Sequence, residues 1–257
     1  MAVGIAEVRC RIEHAESQIQ YLQTAIRTWV DNQHPVPNHQ HDVDAGMHTL
    51  WISGVEQPPI GWGITVGDIC HSLRAALDNT VYLLAIRNSG QPLPDNKLQF
   101  PIYSRPGVYP PNGGSALSGL SNVAILLIEG FQPFQYSDRP HPLEILAGIN
   151  DIDKHRLVNV AQVFTEPGWE PPFTAIDRLT LDRMQRTLAS DPINETAVRL
   201  FVTPPNARLK FNAEGDVTFD VRFGDRSSRV DTNQLVTIDH EVVRIIGDLM
   251  ATIGESL

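Results

Sequence analysis

Apolar residues recur every three or four positions through the first two thirds of the sequence and every second position near its end. Helices must therefore give way to strands along the chain. The stripe Ile5, Val8, Ile12, Ala15, Ile19, Leu22, Ile26 and Trp29 predicts one long helix over 3–31. Such a narrow seam can pack on its own domain or pair with a second copy, so a homodimer through this helix is one expectation. A polar loop rich in Pro, Asn and His is expected from Asn32 to Gly46, then a strand from His48 to Val55. A second helix is expected over 67–87, N-capped by Asp68, whose carboxylate can accept an orphan N–H.

Residues 88–118 carry six prolines and read as loop, interrupted by an extended piece from Leu98 to Tyr103. Helices are expected from Ser121 to Gly130 and from Pro142 to Phe164. Alternation over Val198–Val202, Arg208–Phe211 and Asp216–Phe223 predicts half-buried strands joined by turns. A further strand, Leu235–Ile238, leads into a last helix from Glu241 to about Ile253. The pattern is α+β: a helical bundle core with a C-terminal antiparallel β-meander and a closing C-terminal helix. We read 1–257 as a single domain, helical to about 164 and β-rich from about 173, with 165–172 as the only candidate boundary.

The 257 residues carry a formal net charge of -10, which repels nucleic acid at long range. The 20 basic residues are scattered and form no patch, so nucleic acid is not an expected partner. Two cysteines, Cys10 and Cys70, give no disulfide framework. No stretch approaches the roughly 20 apolar residues of a membrane span. A cytoplasmic protein without membrane contact is expected.

Two helical motifs carry the candidate chemistry. At about 100° per residue, His71, Arg74 and Asp78 share one stripe of the second helix with Tyr82. Leu73, Leu77, Val81 and Leu84 lie opposite, with Cys70 beside them. In the helix beginning at Pro142, the apolar face of Ile145, Leu146, Ile149, Ile152, Leu157 and Val160 is interrupted by Asp153 and Arg156, while Lys154 and His155 point elsewhere. A charge on a core-facing stripe is costly unless paired. The expected partners of Asp153 and Arg156 are therefore His71, Arg74 and Asp78.

The strings HSLRAALD (71–78) after Gly67-Asp68, and DKHR (153–156) after Asn150, resemble the paired signatures of an uncharacterised family of bacterial proteins, GD-x-x-HNLRSALD and N-x-x-DKHR. Phe100-Pro101-Ile102 and Gln132-Pro133-Phe134 extend the likeness, which covers roughly residues 50–160. Ser72 and Ala75 stand where that pattern has Asn and Ser, removing two hydrogen-bonding side chains. The resemblance implies no activity.

If the two helices meet, the most specific reading is a polar inter-helical site. His71 would be a general base oriented by Asp78 or Asp153, and Arg74, Arg156, Lys154, His155 and Asn150 would hold a small anionic or phosphate-containing ligand. The competing reading is a buried ion-pair network in a non-enzymatic structural or interaction protein. A third is a HEPN-like ribonuclease, for which Arg9 and His14 have the spacing, though matches of that kind are expected by chance in so Arg-rich a chain. His34, His39, His41 and His48, with Asp42 and Asp44, could suggest a metal, but in a polar loop they lack the ordered spacing of a metal site, so no metal and no cofactor are expected. P-loop, dinucleotide, G-x-S-x-G and H-E-x-x-H motifs are absent. Phe201, Phe211, Phe219 and Phe223 read as core rather than as a base-stacking platform.

Overall fold

The computed structural model describes residues 4–44, 47–54, 56–90, 98–137, 140–155, 162–165, 173–175, 191–194, 197–202, 209–211, 219–225 and 228–257. It divides into two compact units, each discontinuous in sequence. One comprises 1–24, 60–160 and 223–257, and the other 25–59 and 161–222.

The first unit is helical. Helix α1 (Ile5–Asp31) contributes its first part, and Val8, Ile12, Ala15, Ile19 and Leu22 are all buried within the chain. These five of the eight seam residues are covered within the chain, while Ile5, Ile26 and Trp29 are half-buried. Helix α2 (Gly61–Ser89) is buried on most sides and packs on both α4 (Pro142–His155) and α5 (Thr232–Ala251), which also pack on each other. Their shared core includes Leu73 and Leu77 of α2, Leu146 and Ile149 of α4, and Val242 and Ile245 of α5. The short α3 (Asn122–Gly130) begins with Ser121 as N-cap, its hydroxyl accepting the Ala124 N–H. A helical bundle core is therefore present.

Three expected boundaries move. Helix α2 starts at Gly61, two turns before the expected start, so Asp68 is an exposed interior residue and not an N-cap. Gly61, Gly63 and Gly67 disguise those turns, since each glycine disfavours helix by about 1 kcal/mol relative to Ala. Beyond α4, Gln162–Thr165 form strand β3, so no helix reaches Phe164. Leu235–Ile238 are helical: α5 opens at an Asp231 N-cap, with Asp231 Oδ1 accepting the Gln234 N–H and Gln234 Oε1 accepting the Asp231 N–H. This reciprocal pair is a capping box, and it offsets the β-branched character that made Leu235–Ile238 look extended. Helix α2 ends where Gly90 adopts φ 77° and donates its N–H to the Ile86 carbonyl.

Beside the end of α1, the second unit is described mainly as strands. β1 (Val36–Asp42) occupies the segment expected to be loop, and pairs antiparallel with β2 (Met47–Ser53). A four-stranded sheet has the order β1-β2-β6-β5, with β5 at Asp191–Asn194 and β6 at Ala197–Val202. β4 (Phe173–Ala175) pairs with β7 (Leu209–Phe211). β3 pairs with the beginning of β8 (Phe219–Asp225), whose end pairs with β9 (Ser228–Val230) in the first unit. The expected meander is thereby corrected among the described residues. Successive strands β6, β7 and β8 do not neighbour one another, because each finds its partner earlier in the chain or across a short turn. No helix among the described residues is long and apolar enough to cross a membrane.

Candidate functional site

The stripe predicted on α2 is present, but its members differ in exposure. His71 is exposed, while the side chains of Arg74 and Asp78 keep 16% and 32% of their accessible surface. Leu73, Leu77, Val81, Leu84 and Cys70 are buried on the other sides. Arg74 and Asp78 form an i,i+4 ion pair with Nη2 to Oδ1 at 3.1 Å. Both then reach the same residue of the segment 98–103. Arg74 Nη2 donates to the Phe100 carbonyl at 2.6 Å, and Asp78 Oδ1 accepts the Phe100 N–H at 2.8 Å. The pair thus occupies both backbone groups of Phe100, as a neighbouring strand would.

A third side chain continues this pairing. Gln132, fully buried, donates Nε2 to the Pro101 carbonyl at 2.8 Å and to the Ile128 carbonyl at 2.9 Å, while its Oε1 accepts the Tyr103 N–H at 3.0 Å. The Gln99 N–H donates to the Ala116 carbonyl. The segment has no strand beside it. Its polar backbone is satisfied by side chains from α2 and from just beyond α3, and the Phe100 ring is fully buried.

The remaining expected site residues lie on or after α4. Asn150 is buried, and Asp153, Lys154 and His155 belong to the helix, of which only the backbone is described. Arg156 and the side chain of Asp153 lie outside what the structure describes, and so does their expected pairing with His71, Arg74 and Asp78. Because α2 and α4 pack together, the two motif helices do meet. Among the described residues no group of three or more His, Cys, Asp or Glu is placed to hold a metal ion.

Two features went unread in the sequence. His141 is buried and caps α4: its Nδ1 accepts the Leu143 N–H at 3.3 Å, and Glu144 Oε2 accepts the His141 N–H at 3.0 Å. Its Nε2 lies 3.8 Å from Glu241 Oε1, and its ring centre lies 4.5 Å from that of Tyr136. Glu241 in turn accepts two hydrogen bonds from Arg244, whose guanidinium lies 5.0 Å from the Phe131 ring centre. The spacing His141-Pro142-Leu143-Glu144 is that of a capping box with His in the place of Ser or Thr, and was legible in those terms.

The second is Asp239 on α5, only 4% exposed, with an Oδ1 that has no hydrogen-bond partner. Burial, and secondarily the Glu16 charge, push its carboxyl from 3.8 up to about 6. The folded chain thus binds a proton that the unfolded chain releases. Stability from this group is fully present below pH 3.8 and is lost as pH rises through about 6. Asp239→Asn is expected to raise stability at pH 7.5 by about 1–3 kcal/mol and to flatten the pH dependence in that window. Urea unfolding at pH 4.5 and 7.5 checks this, and an unchanged slope with pH would refute it.

No family model matches the chain, and no curated protein or solved structure matches it either.

Proposed function

We propose that the α2 motif is an anchor for the segment 98–103, and that the protein acts as a non-enzymatic structural or interaction protein built on this fastened helical core. One observation carries the reading: the charged ends of Arg74 and Asp78 meet the two backbone groups of a single residue, Phe100. An arginine and a carboxylate committed to backbone in this way orient a loop. Three of the segments that carry the resemblance, HSLRAALD, Phe100-Pro101-Ile102 and Gln132, converge on one place. Exposed apolar side chains, Val123 and Leu126 one turn apart on α3, are consistent with an interaction role.

On this reading His71→Ala, at an exposed position, changes stability by no more than about 0.5 kcal/mol. A thermal-shift screen with phosphate, nucleotides and phosphorylated metabolites then leaves the melting temperature unmoved. The second reading is the anionic-ligand site, with His71 as base and the α4 motif residues as its other wall. What favours it is that α2 and α4 pack together while His71 stays exposed. A ligand at about 100 times its dissociation constant stabilises a fold by roughly 2.7 kcal/mol. Such a shift, abolished in His71→Ala, would replace the anchor reading with the ligand reading.

A further inference from the structure

Among the described residues, Asp239 is the only acidic one that is buried. It sits on the apolar stripe of α5, flanked by the buried Leu235, Ile238, Val242 and Ile246. A charge at such a position is costly unless it is paired, and Asp239 Oδ1 has no hydrogen-bond partner. The charge that reaches it from another helix has the same sign: Glu16, exposed on α1 beside the buried Ala15 and Ile19. His240, its exposed neighbour on α5, partly opposes that repulsion.

Helices α2, α3 and α4 also pack on α5, and their described charged groups are engaged elsewhere or lie in solvent. Arg74 and Asp78 hold Phe100, Arg87 pairs with Glu255, Glu129 acts on Tyr109, and Glu144 accepts the His141 N–H. Asp68, His71 and Asp151 are exposed. On α5 itself, Glu241 and Arg244 stand about 140–200° round the helix from Asp239, so they and His141 occupy a different side. Helices α2, α4 and α5 pack closely on one another, and α1 approaches α5 less closely. The contact that sets Glu16 against Asp239 is therefore the weaker one and the one that carries like charges.

We propose that Asp239 is a proton-controlled latch for the N-terminal part of α1: neutral, it holds α1 closed on α5, and ionised, it favours an opening that uncovers Val8, Ile12, Ala15 and Ile19. The sign follows from the surroundings. Burial and the Glu16 charge both favour the protonated carboxyl in the closed form, whereas an opened Asp239 is wet and takes an ordinary value near 3.9. The closed form thus binds the extra proton, and opening becomes easier as pH rises from that ordinary value through about 6. The latch is independent of the α2 anchor.

The test is native-state hydrogen exchange of the full chain, read by mass spectrometry in urea below the unfolding transition. Rates are corrected for the intrinsic pH dependence of amide exchange. Peptides covering residues 5–24 of α1 are expected to exchange through an opening with a smaller urea dependence than peptides of α2, which report global unfolding. That opening becomes on the order of 10–100-fold more frequent between pH 4.5 and pH 7.5. Asp239→Asn, which keeps the shape and removes the charge, abolishes the pH response, and Glu16→Gln diminishes it. Should Asp239→Asn fail to fold, Glu16→Gln, at an exposed position, decides alone: a diminished response supports the latch and an unchanged one overturns it. Exchange of α1 and α2 together with one urea dependence, an α1 opening indifferent to pH, or a pH response that survives Asp239→Asn would each overturn it as well.

Discussion

Gln132→Leu is expected to lower the unfolding free energy by about 3–5 kcal/mol, although the side chain keeps nearly the same volume. Gln132 is fully buried and makes three hydrogen bonds, two from Nε2 and one to Oε1. Leucine leaves the Pro101 carbonyl and the Tyr103 N–H without these partners, at about 1–3 kcal/mol for each buried group. Against a total stability of about 5–15 kcal/mol that loss is severe. Urea unfolding measures it, and amide exchange at Tyr103 locates it, since protection there should fall most. Gln132→Glu is a sharper probe. It keeps the acceptor for the Tyr103 N–H, loses the two donated bonds, and should be less damaging at pH 5, where a buried carboxyl can be neutral, than at pH 8. Near-native stability of Gln132→Leu would mean that segment 98–103 is held by Phe100 packing alone.

Arg74→Ala is expected to cost about 2–4 kcal/mol. It removes the donor to the Phe100 carbonyl and strips Asp78 of its ion-pair partner in a half-buried setting. Asp78→Asn retains an acceptor for the Phe100 N–H and should cost less, about 1 kcal/mol. Because both residues act on one backbone unit, their effects should not add. A double-mutant cycle with Arg74→Ala and Asp78→Ala should return a coupling of about 0.5–3 kcal/mol. An exposed i,i+4 pair on a helix would give only about 0.3–0.5 kcal/mol. A coupling in that lower range would reduce the pair to surface electrostatics and remove the support for the anchor.

The two predictions explain why HSLRAALD could be found in the sequence and yet be misread. Periodicity correctly separates Leu73, Leu77, Val81 and Leu84 from His71, Arg74 and Asp78, because the helical repeat is a local property. It cannot say that Arg74 and Asp78 turn to a loop 22–26 residues away instead of to solvent or to the α4 motif. That choice depends on a segment whose own backbone lacks a strand partner. Leu235–Ile238 illustrates the opposite failure, where the deciding signal was local. Asp231 and Gln234 mark a helix start, and attention to the β-branched residues after them obscured it.

Local pattern by itself determined the long N-terminal helix and its buried seam, the boundaries of α3, the strands β2 and β6, and the polar stripe of α2. Each follows from side-chain period and capping chemistry acting over a few residues. Only the tertiary structure decided that β1 exists. Val36–Asp42 is polar and weak in β-propensity, and it is a strand because β2 supplies its hydrogen-bond partners. The same is true of the strand order, in which β6 joins β2 across most of the chain, and of the union of Phe100, Gln132 and the Arg74–Asp78 pair. Backbone groups buried far from their sequence neighbours must be satisfied by whatever the fold brings to them, and no local pattern names that partner.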